Sequence, residues 1–205
     1  MTSADQALSR GGKEYFDPIH GAIDLDPLAV RCMDTPVFQR LRELKQLGSS
    51  YYVFGGASHN RFEHSVGVYH LSRTMIDRFC SSQPELGITD DERSAVGLAG
   101  LLHDLGHGPF SHVFDAEFIP RARPGVSWTH EQMSINLIDV MLEQGELGDD
   151  ISPDVVASVK GMIMGGKAPK GHGGKGTADS TANAPADATM DRRDSAAATT
   201  GASAP

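Results

Sequence analysis

The chain has 205 residues, of which 39% are hydrophobic and 22% charged, and its formal net charge is −9. This composition is ordinary for a globular protein, and the length favours one domain with an additional segment. The acidic balance argues against nucleic acid as a partner, because a nucleic-acid-binding surface is basic. A small anionic substrate is not excluded, since it needs only a local basic pocket.

The cysteine content and the apolar runs bear on the compartment. Cys32 and Cys80 are the only cysteines, too few for a disulfide framework, which favours a reducing compartment. Residues 1–13 are polar and lack the apolar stretch of a secretory signal. The longest apolar run, 96–102, is too short for a membrane span. We therefore expect an intracellular protein of the nucleus or cytoplasm that does not associate with membranes.

Helix-start signals recur from the first third of the chain onward. Thr35 before Pro36 is typical of a helix N-terminus, and Phe38, Leu41 and Leu44 follow on one face. Asn60 followed by Glu63 predicts a capping box. The helix that it begins would bury one apolar stripe, and this stripe consists of Phe62, Val66, Tyr69, Met75, Ile76 and Phe79.

The same signals continue toward residue 164. Thr89 with Glu92 predicts a helix that ends at Leu105, and Thr129 with Gln132 predicts another. Ser152 before Pro153 predicts a last helix up to Met164. No stretch alternates over strand length, although 51–54 could form a short extended piece. The predicted fold class is therefore all-α.

The composition changes sharply at the end of this helical region. Residues 165–205 contain no Val, Ile, Leu, Phe, Tyr or Trp. Such a segment cannot bury enough apolar surface to offset backbone ordering, which costs roughly 1–2 kcal/mol per residue. We predict a disordered N-terminus at 1–12, a helical domain at 13–164 and a disordered low-complexity tail at 165–205.

The segment from His103 to His112 carries the most informative chemistry. A helix as apolar as 96–105 should be buried, yet it ends in His103 and Asp104, and a buried carboxylate needs a partner or a metal. A hydrogen-bonded core histidine beside a solvated aspartate is the simpler interpretation. A metal site is favoured because further histidines lie at or beside helix boundaries; they are His64, His107, His112 and His130. Histidine and carboxylate donors suit iron, manganese or zinc.

Several collinear runs resemble a known family. They are Asp17-Pro18-Ile19-His20-Gly21, Arg40-Leu41-Arg42, Tyr51-Tyr52-Val53-Phe54, Ser58-His59-Asn60-Arg61-Phe62-Glu63-His64-Ser65, His103-Asp104-Leu105-Gly106-His107-Gly108-Pro109-Phe110-Ser111-His112 and Trp128-Thr129-His130-Glu131-Gln132. Together they resemble the catalytic domain of the sterile-alpha-motif and HD-domain deoxynucleoside triphosphate triphosphohydrolases, over residues 13–164. The resemblance implies a partial HD-domain helical core.

The resemblance also implies roles for the candidate site residues. The metal ligands would be His64, His103 and Asp104, holding a divalent ion (Fe, Mn, Zn or Mg). The phosphate contacts would be Arg61, His107 and His130. His112, oriented by Asp115, would give a proton to the departing 5′ oxygen, as histidine can near neutral pH. Gln46 and Leu47 would lie against the sugar and select deoxyribose.

A second, regulatory site follows from the same resemblance. An allosteric guanine nucleotide, GTP or dGTP, would bind between the subunits of a homo-oligomer. The residues that line this site would be Lys13, Asp34, Gln39 and Arg42.

The chain departs from the family pattern in two respects. The family has a fourth metal ligand, an aspartate, and further substrate contacts downstream of the point that corresponds to Met164. Its sterile-alpha-motif domain precedes the point that corresponds to Lys13. We therefore expect an N-terminal piece of the catalytic domain joined to an unrelated tail.

This departure leaves three hypotheses for the chain. The first is a metal-dependent hydrolase that converts deoxynucleoside triphosphates to deoxynucleoside and triphosphate. The second is a non-catalytic guanine-nucleotide-binding module that assembles with full-length subunits. The third is an unstable fragment without a function.

Overall fold

A computed structural model describes residues 11–144, 147 and 151–165. The predictions of disorder at 1–10 and in the tail at 166–205 lie outside these residues. The described part begins with a β-hairpin, in which β1 (Lys13–Asp17) pairs antiparallel with β2 (Gly21–Leu25). The sequence patterning did not predict this hairpin, because β2 shows one face over only five residues, with Ile23 and Leu25 buried.

The remaining regular secondary structure of the described chain is helical, which confirms the predicted class. The helices are α1 (Pro27–Asp34), α2 (Pro36–Gln39), α3 (Arg61–Ser82), α4 (Asp90–Leu102), α5 (Ile119–Ala122), α6 (His130–Glu143) and α7 (Pro153–Ile163). Turns of 3-10 helix lie at Arg40–Glu43, Gly48–Tyr52 and Pro84–Leu86, and a π-helical turn lies at Phe114–Phe118. The extended piece predicted at 51–54 is wrong, because residues 51 and 52 belong to a 3-10 turn.

The predicted helix starts are confirmed by their capping hydrogen bonds. Asn60 and Glu63 form a reciprocal capping box on α3, as Thr89 and Glu92 do on α4. The side chain of Thr129 accepts from the backbone N–H of Gln132, and that of Ser152 accepts from Val155. The side-chain oxygens thereby satisfy backbone donors that have no partner within the helix.

Helix α4 ends at Leu102 rather than at the predicted Leu105. Beyond Leu102 the backbone carbonyls bond to groups outside the helix. The carbonyl of His103 accepts from the Ser134 hydroxyl on α6, and the carbonyl of Leu105 accepts from Arg40. His103 and Asp104 therefore lie in a turn that tertiary contacts hold.

Close packing of α3 against α4 positions the site. A Cβ atom at Gly100 would lie 2.5 Å from the Ser72 hydroxyl oxygen and 3.1 Å from the Val68 carbonyl oxygen. The helices approach so closely only because this residue has no side chain. The start of α3 thus lies beside the end of α4, and the rings of His64 and His103 are 5.3 Å apart between centroids.

The core lies among the hairpin, α1, α3, α4, α6 and α7. Its fully buried side chains include Ile23, Phe38, Leu41, Phe62, Val66, Leu101, Leu105 and Met141. Two members of the predicted α3 stripe are not buried, since Met75 and Phe79 are 54% and 39% exposed. Both cysteines are free thiols. In the part of the chain that the structure describes, no helix is both long enough and apolar enough to cross a membrane.

Candidate metal centre and active site

His64, His103 and Asp104 converge on one point. Each offers a ligand atom, and these atoms all lie within 4.8 Å of one another. The Nε2 atom of His64 is 3.4 Å from Oδ2 of Asp104, and the Nε2 atom of His103 is 3.2 Å from Oδ1. The capping box of α3 fixes the first of these residues, and the turn after α4 fixes the other two. The structure therefore brings together the residues that the resemblance implied as metal ligands.

The imidazoles of His64 and His103 can each offer a lone pair to a metal ion. The Nδ1 atom of His103 lies 2.8 Å from the carbonyl oxygen of Gly100. Because a carbonyl only accepts, Nδ1 carries the hydrogen and donates it, which leaves Nε2 free for a metal. Burial lowers the pKa of His64, and electrostatic interactions with His103 and Arg61 lower it further against the opposing effect of Asp104. His64 is therefore neutral at physiological pH.

Asp104 is the charged centre of the cluster. Burial alone would raise its pKa, but electrostatic interactions with His103, Arg61, His107 and His64 lower it on balance. The Arg61 guanidinium donates to Oδ2 of Asp104 at 2.5 Å. Arg61 is itself only 2% exposed, so the charge of each group compensates the other in a region where an unpaired charge would be costly.

Two residues that the sequence analysis did not identify hold the turn after α4. Arg40 donates to the carbonyl oxygens of His107 and Leu105, at 3.0 and 2.5 Å. The hydroxyl of Ser134 donates to the carbonyl of His103 and accepts from the N–H of Gly106, both at 2.8 Å. No local pattern marks these residues, because their partners are distant in sequence.

Ser134→Ala is expected to destabilise the protein by about 1–3 kcal/mol, because one buried donor and one buried acceptor lose their partner. Chemical unfolding of the two proteins measures the difference. Ser81→Ala is the matched control, since the Ser81 hydroxyl is exposed and bonds only within α3. The control should stay within about 0.5 kcal/mol of the parent. Equal losses in the two variants would contradict a role for Ser134 in holding the turn.

A second cluster adjoins the first and consists of His107, His112, Asp115 and His130, whose ligand atoms also lie within 4.8 Å of one another. The ring of His107 stacks on that of His130 at 3.9 Å between centroids. Oδ2 of Asp115 is 2.7 Å from Nδ1 of His130 but 3.9 Å from Nδ1 of His112. Asp115 is thus hydrogen-bonded to His130 rather than to His112, the residue that the resemblance implied it would orient.

His107 lies at the boundary of the two clusters. Its Nε2 atom faces Oδ1 of Asp104 at 3.5 Å, and its Nδ1 atom faces Oδ2 of Asp115 at 4.0 Å. Burial, reinforced by the charge of Arg61, lowers its pKa to about 3. The imidazole is therefore neutral at physiological pH. Its Nδ1 atom and Oδ1 of Asp115 are buried without a hydrogen-bond partner among the described residues, so a ligand could bond to both.

The loop that carries His112 is strained and rests against Gln46. Phe110 and Ser111 have φ values of 65° and 56°, a left-handed conformation that is unusual for residues other than glycine. The Ser111 hydroxyl donates to the carbonyl of Gln46 at 2.7 Å. Gln46 thus lies beside the second cluster, and the adjacent Leu47 is half exposed.

The residues of the implied regulatory site form two linked pairs on an exposed edge. Lys13 and Asp34 form an ion pair at 2.9 Å, with both side chains about 60% exposed. Gln39 donates to the carbonyl of Met33, next to Asp34, and accepts from Arg42. The structure therefore brings all four residues to one region.

Comparison with known proteins identifies the family. Residues 61–164, half of the chain, match the HD domain. The chain belongs to the HD-domain family.

More specific relatives share the deoxynucleoside triphosphate triphosphohydrolase name. The chain is 56% identical to "Deoxynucleoside triphosphate triphosphohydrolase SAMHD1" of Mus musculus over 66% of this chain and 20% of the mouse protein. It is 59% identical to that of Homo sapiens over 63% of this chain and 21% of the human protein. The homolog of Dictyostelium discoideum is 41% identical over 81% of this chain and 32% of its own length. The chain thus spans about a fifth of the length of its mammalian relatives.

Proposed function

We propose that this chain carries the metal centre and phosphate-binding side chains of a deoxynucleoside triphosphate triphosphohydrolase, which releases deoxynucleoside and inorganic triphosphate. The observation that carries this proposal is the convergence of His64, His103 and Asp104 beside a second cluster of three imidazoles and a carboxylate. The high identity to proteins named for this activity supports it.

The donor set of the first cluster fits a divalent ion. His64 is neutral, His103 has its Nε2 lone pair free, and Asp104 is ionised. Three protein donors leave a coordination position for water or substrate, as catalytic metal sites require. A bound Fe, Mn, Zn or Mg ion would neutralise phosphate charge and make a water molecule more acidic.

Arg61, His107 and His130 surround the position proposed for the phosphates. The guanidinium of Arg61 carries a fixed positive charge, and its Nε atom is buried without a partner among the described residues. In the tautomer with its hydrogen on Nδ1, neutral His107 can donate one hydrogen bond to a phosphate oxygen, because Nδ1 has no hydrogen-bond partner among the described residues. These groups would hold the triphosphate chain with the α-phosphorus near Asp104.

His112 is the proposed proton donor. Attack of water on the α-phosphorus breaks the bond to the 5′ oxygen, and the departing alkoxide is a poor leaving group until it gains a proton. The ring of His112 is 76% exposed on the strained loop, so that it can reach a substrate atom. Oδ2 of Asp115 is hydrogen-bonded to Nδ1 of the neighbouring His130 at 2.7 Å and lies 3.9 Å from Nδ1 of His112. Gln46 and Leu47 would contact the sugar from the same side.

We also propose a regulatory site for the guanine base and phosphates of GTP or dGTP on the exposed edge. Its residues are Lys13, Asp34, Gln39 and Arg42. Asp34 and Gln39 can pair with a base, whereas Lys13 and Arg42 can pair with phosphates. Such a site would regulate assembly into a homo-oligomer. A purely non-catalytic role is less favoured, because the metal donors and the proposed proton donor occur together.

Release of inorganic triphosphate from dGTP in the presence of Mn²⁺ tests the proposed function. The parent chain is expected to produce triphosphate and deoxyguanosine in equal amounts. His112→Ala should lower the rate by about 10²–10⁴-fold, the usual contribution of a general acid, and should retain Mn²⁺ at the His64–His103–Asp104 centre. His70→Ala, on α3 outside both clusters, is the matched control and should retain the parent rate.

Two results would contradict the proposal. Pyrophosphate or phosphate as the product would indicate a different phosphohydrolase reaction. Binding of dGTP without turnover at saturating metal would favour the regulatory module instead.

A further inference from the structure

The second cluster, defined above as His107, His112, Asp115 and His130, is arranged around one carboxylate oxygen. The Nδ1 atoms of His130, His112 and His107 lie 2.7, 3.9 and 4.0 Å from Oδ2 of Asp115. Zinc binds imidazole nitrogens and carboxylate oxygens, and it usually takes four ligands in a tetrahedral arrangement. The cluster offers three imidazole nitrogens and one carboxylate oxygen. Small rotations of the side chains would bring these four atoms to a common distance from one ion.

The opposite edges of the His107 and His130 rings also face carboxylates. The Nε2 atom of His107 lies 3.5 Å from Oδ1 of Asp104, and the Nε2 atom of His130 lies 3.3 Å from Oε1 of Glu131. Metal-binding histidines commonly donate their other ring N–H to a carboxylate, which fixes the tautomer and increases the basicity of the ligand nitrogen. With Nε2 protonated and paired in this way, the Nδ1 lone pairs of both rings would point into the cluster.

Two buried atoms in the cluster have no hydrogen-bond partner in the part of the chain that the structure describes. Nδ1 of His107, a residue 1% exposed, and Oδ1 of Asp115 form no hydrogen bond among the described residues. Buried polar atoms are rarely left in this state unless a water molecule or an ion satisfies them. This observation is independent of the donor set and also indicates a ligand at the centre of the cluster.

We propose that His107, His112, Asp115 and His130 form a second site for a borderline transition metal, Zn²⁺ by preference, adjacent to the His64–His103–Asp104 centre. The imidazole donors select such an ion over Mg²⁺ or Ca²⁺, which prefer oxygen. If the proposed function is correct, a metal at this site would occupy the side chains assigned to phosphate binding and proton transfer. Zinc beyond the first equivalent would then inhibit the enzyme.

Zinc titration of the full 205-residue chain, freed of metal by a chelator, tests the second site. With a competing fluorescent zinc indicator, the parent is expected to bind two equivalents. His64→Ala should retain one equivalent, held by the second cluster. His112→Ala should also retain one, held by the first centre, and its fold should be preserved because the side chain is 76% exposed. His70→Ala controls for binding by histidines outside both clusters and should retain two.

The Glu131→Gln variant distinguishes a metal site with oriented ligands from a group of histidines that merely lie near one another. Its zinc affinity at the second site should fall by about 10–100-fold, the usual effect of removing a carboxylate that orients a ligating histidine, whereas the first centre should be unaffected. X-ray absorption at the zinc edge of the His64→Ala variant should show several imidazole ligands. The proposal is overturned if the parent binds one equivalent that His64→Ala abolishes, or if His112→Ala retains two. Catalysis is not measured here, so failure of the proposed function would leave these results unchanged.

Discussion

Gly106→Ala is expected to lower the stability of the protein by about 3 kcal/mol, because extra atoms in a filled core force the backbone to move. A Cβ atom at this position would lie 2.2 Å from the carbonyl oxygen of His130 and 2.4 Å from the backbone nitrogen of Ser134. Both neighbours are backbone atoms of the first turn of α6, so no side chain can rotate away to make room. The whole helix must move.

The same displacement should disrupt both clusters at once. Gly106 joins Asp104 to His107, and its N–H bonds to Ser134 on α6, the helix that begins with His130. Shifting α6 would move His130 away from Asp115 and loosen the turn that holds His103. Metal binding should therefore weaken together with stability.

Thermal unfolding and metal affinity measure these two effects. For a domain of about 150 residues, a loss of about 3 kcal/mol corresponds to a fall in Tm of roughly 6–12 °C. Gly55→Ala is the matched control, because a Cβ atom there meets nothing within 4 Å and its φ is not positive. A Gly106→Ala protein with the Tm and metal affinity of this control would show that α6 does not pack against the turn as described.

The local features of the sequence predicted most of the helix starts. Asn60 with Glu63 and Thr89 with Glu92 specify their caps within one turn of chain, so no distant residue is needed. Adjacent His103 and Asp104 after an apolar helix likewise pointed to a candidate metal centre, and the structure brings them together with the distant His64. The helix-start predictions succeeded because the relevant physical interaction spans only a few residues.

The features that the sequence did not predict depend on distant residues. The early end of α4 follows from hydrogen bonds to Arg40 and Ser134, which lie 65 and 31 positions away from their partners. The choice of His130 rather than His112 as the partner of Asp115 depends on where α6 docks. The hairpin packs one face against the core, and its strands have only five residues each, too few for a clear alternation of apolar and polar side chains.

Asp104→Asn is expected to remove metal binding at the first centre and also to destabilise the metal-free protein. The amide would keep the shape of the side chain but lose the charge that faces Arg61, His64 and His103. The guanidinium of Arg61 would remain buried without a counter-ion. Breaking a buried pair in this way costs about 3–5 kcal/mol, and the acceptor oxygen that the amide retains favours the lower value.

Asp77→Asn is the matched control for the charge change. Asp77 pairs with Arg93 at 2.6 Å, but the side chains are 44% and 32% exposed. An exposed pair contributes at most about 1 kcal/mol, so the control should unfold nearly as the parent does in the presence of a chelator. A large loss in Asp77→Asn and none in Asp104→Asn would contradict the burial of the Arg61–Asp104 pair.

Unfolding with and without Mn²⁺ separates the lost ion pair from the lost metal. A metal at 100 times its Kd stabilises the folded state by about 2.7 kcal/mol, and the parent should show such a gain. Asp104→Asn should gain at most about 0.4 kcal/mol, because its affinity should fall by at least roughly 100-fold, beyond the loss caused by removing an outer partner of a ligand. Undiminished stabilisation by Mn²⁺ in this variant would mean that Asp104 is not a ligand, and that its buried carboxylate serves only to hold Arg61.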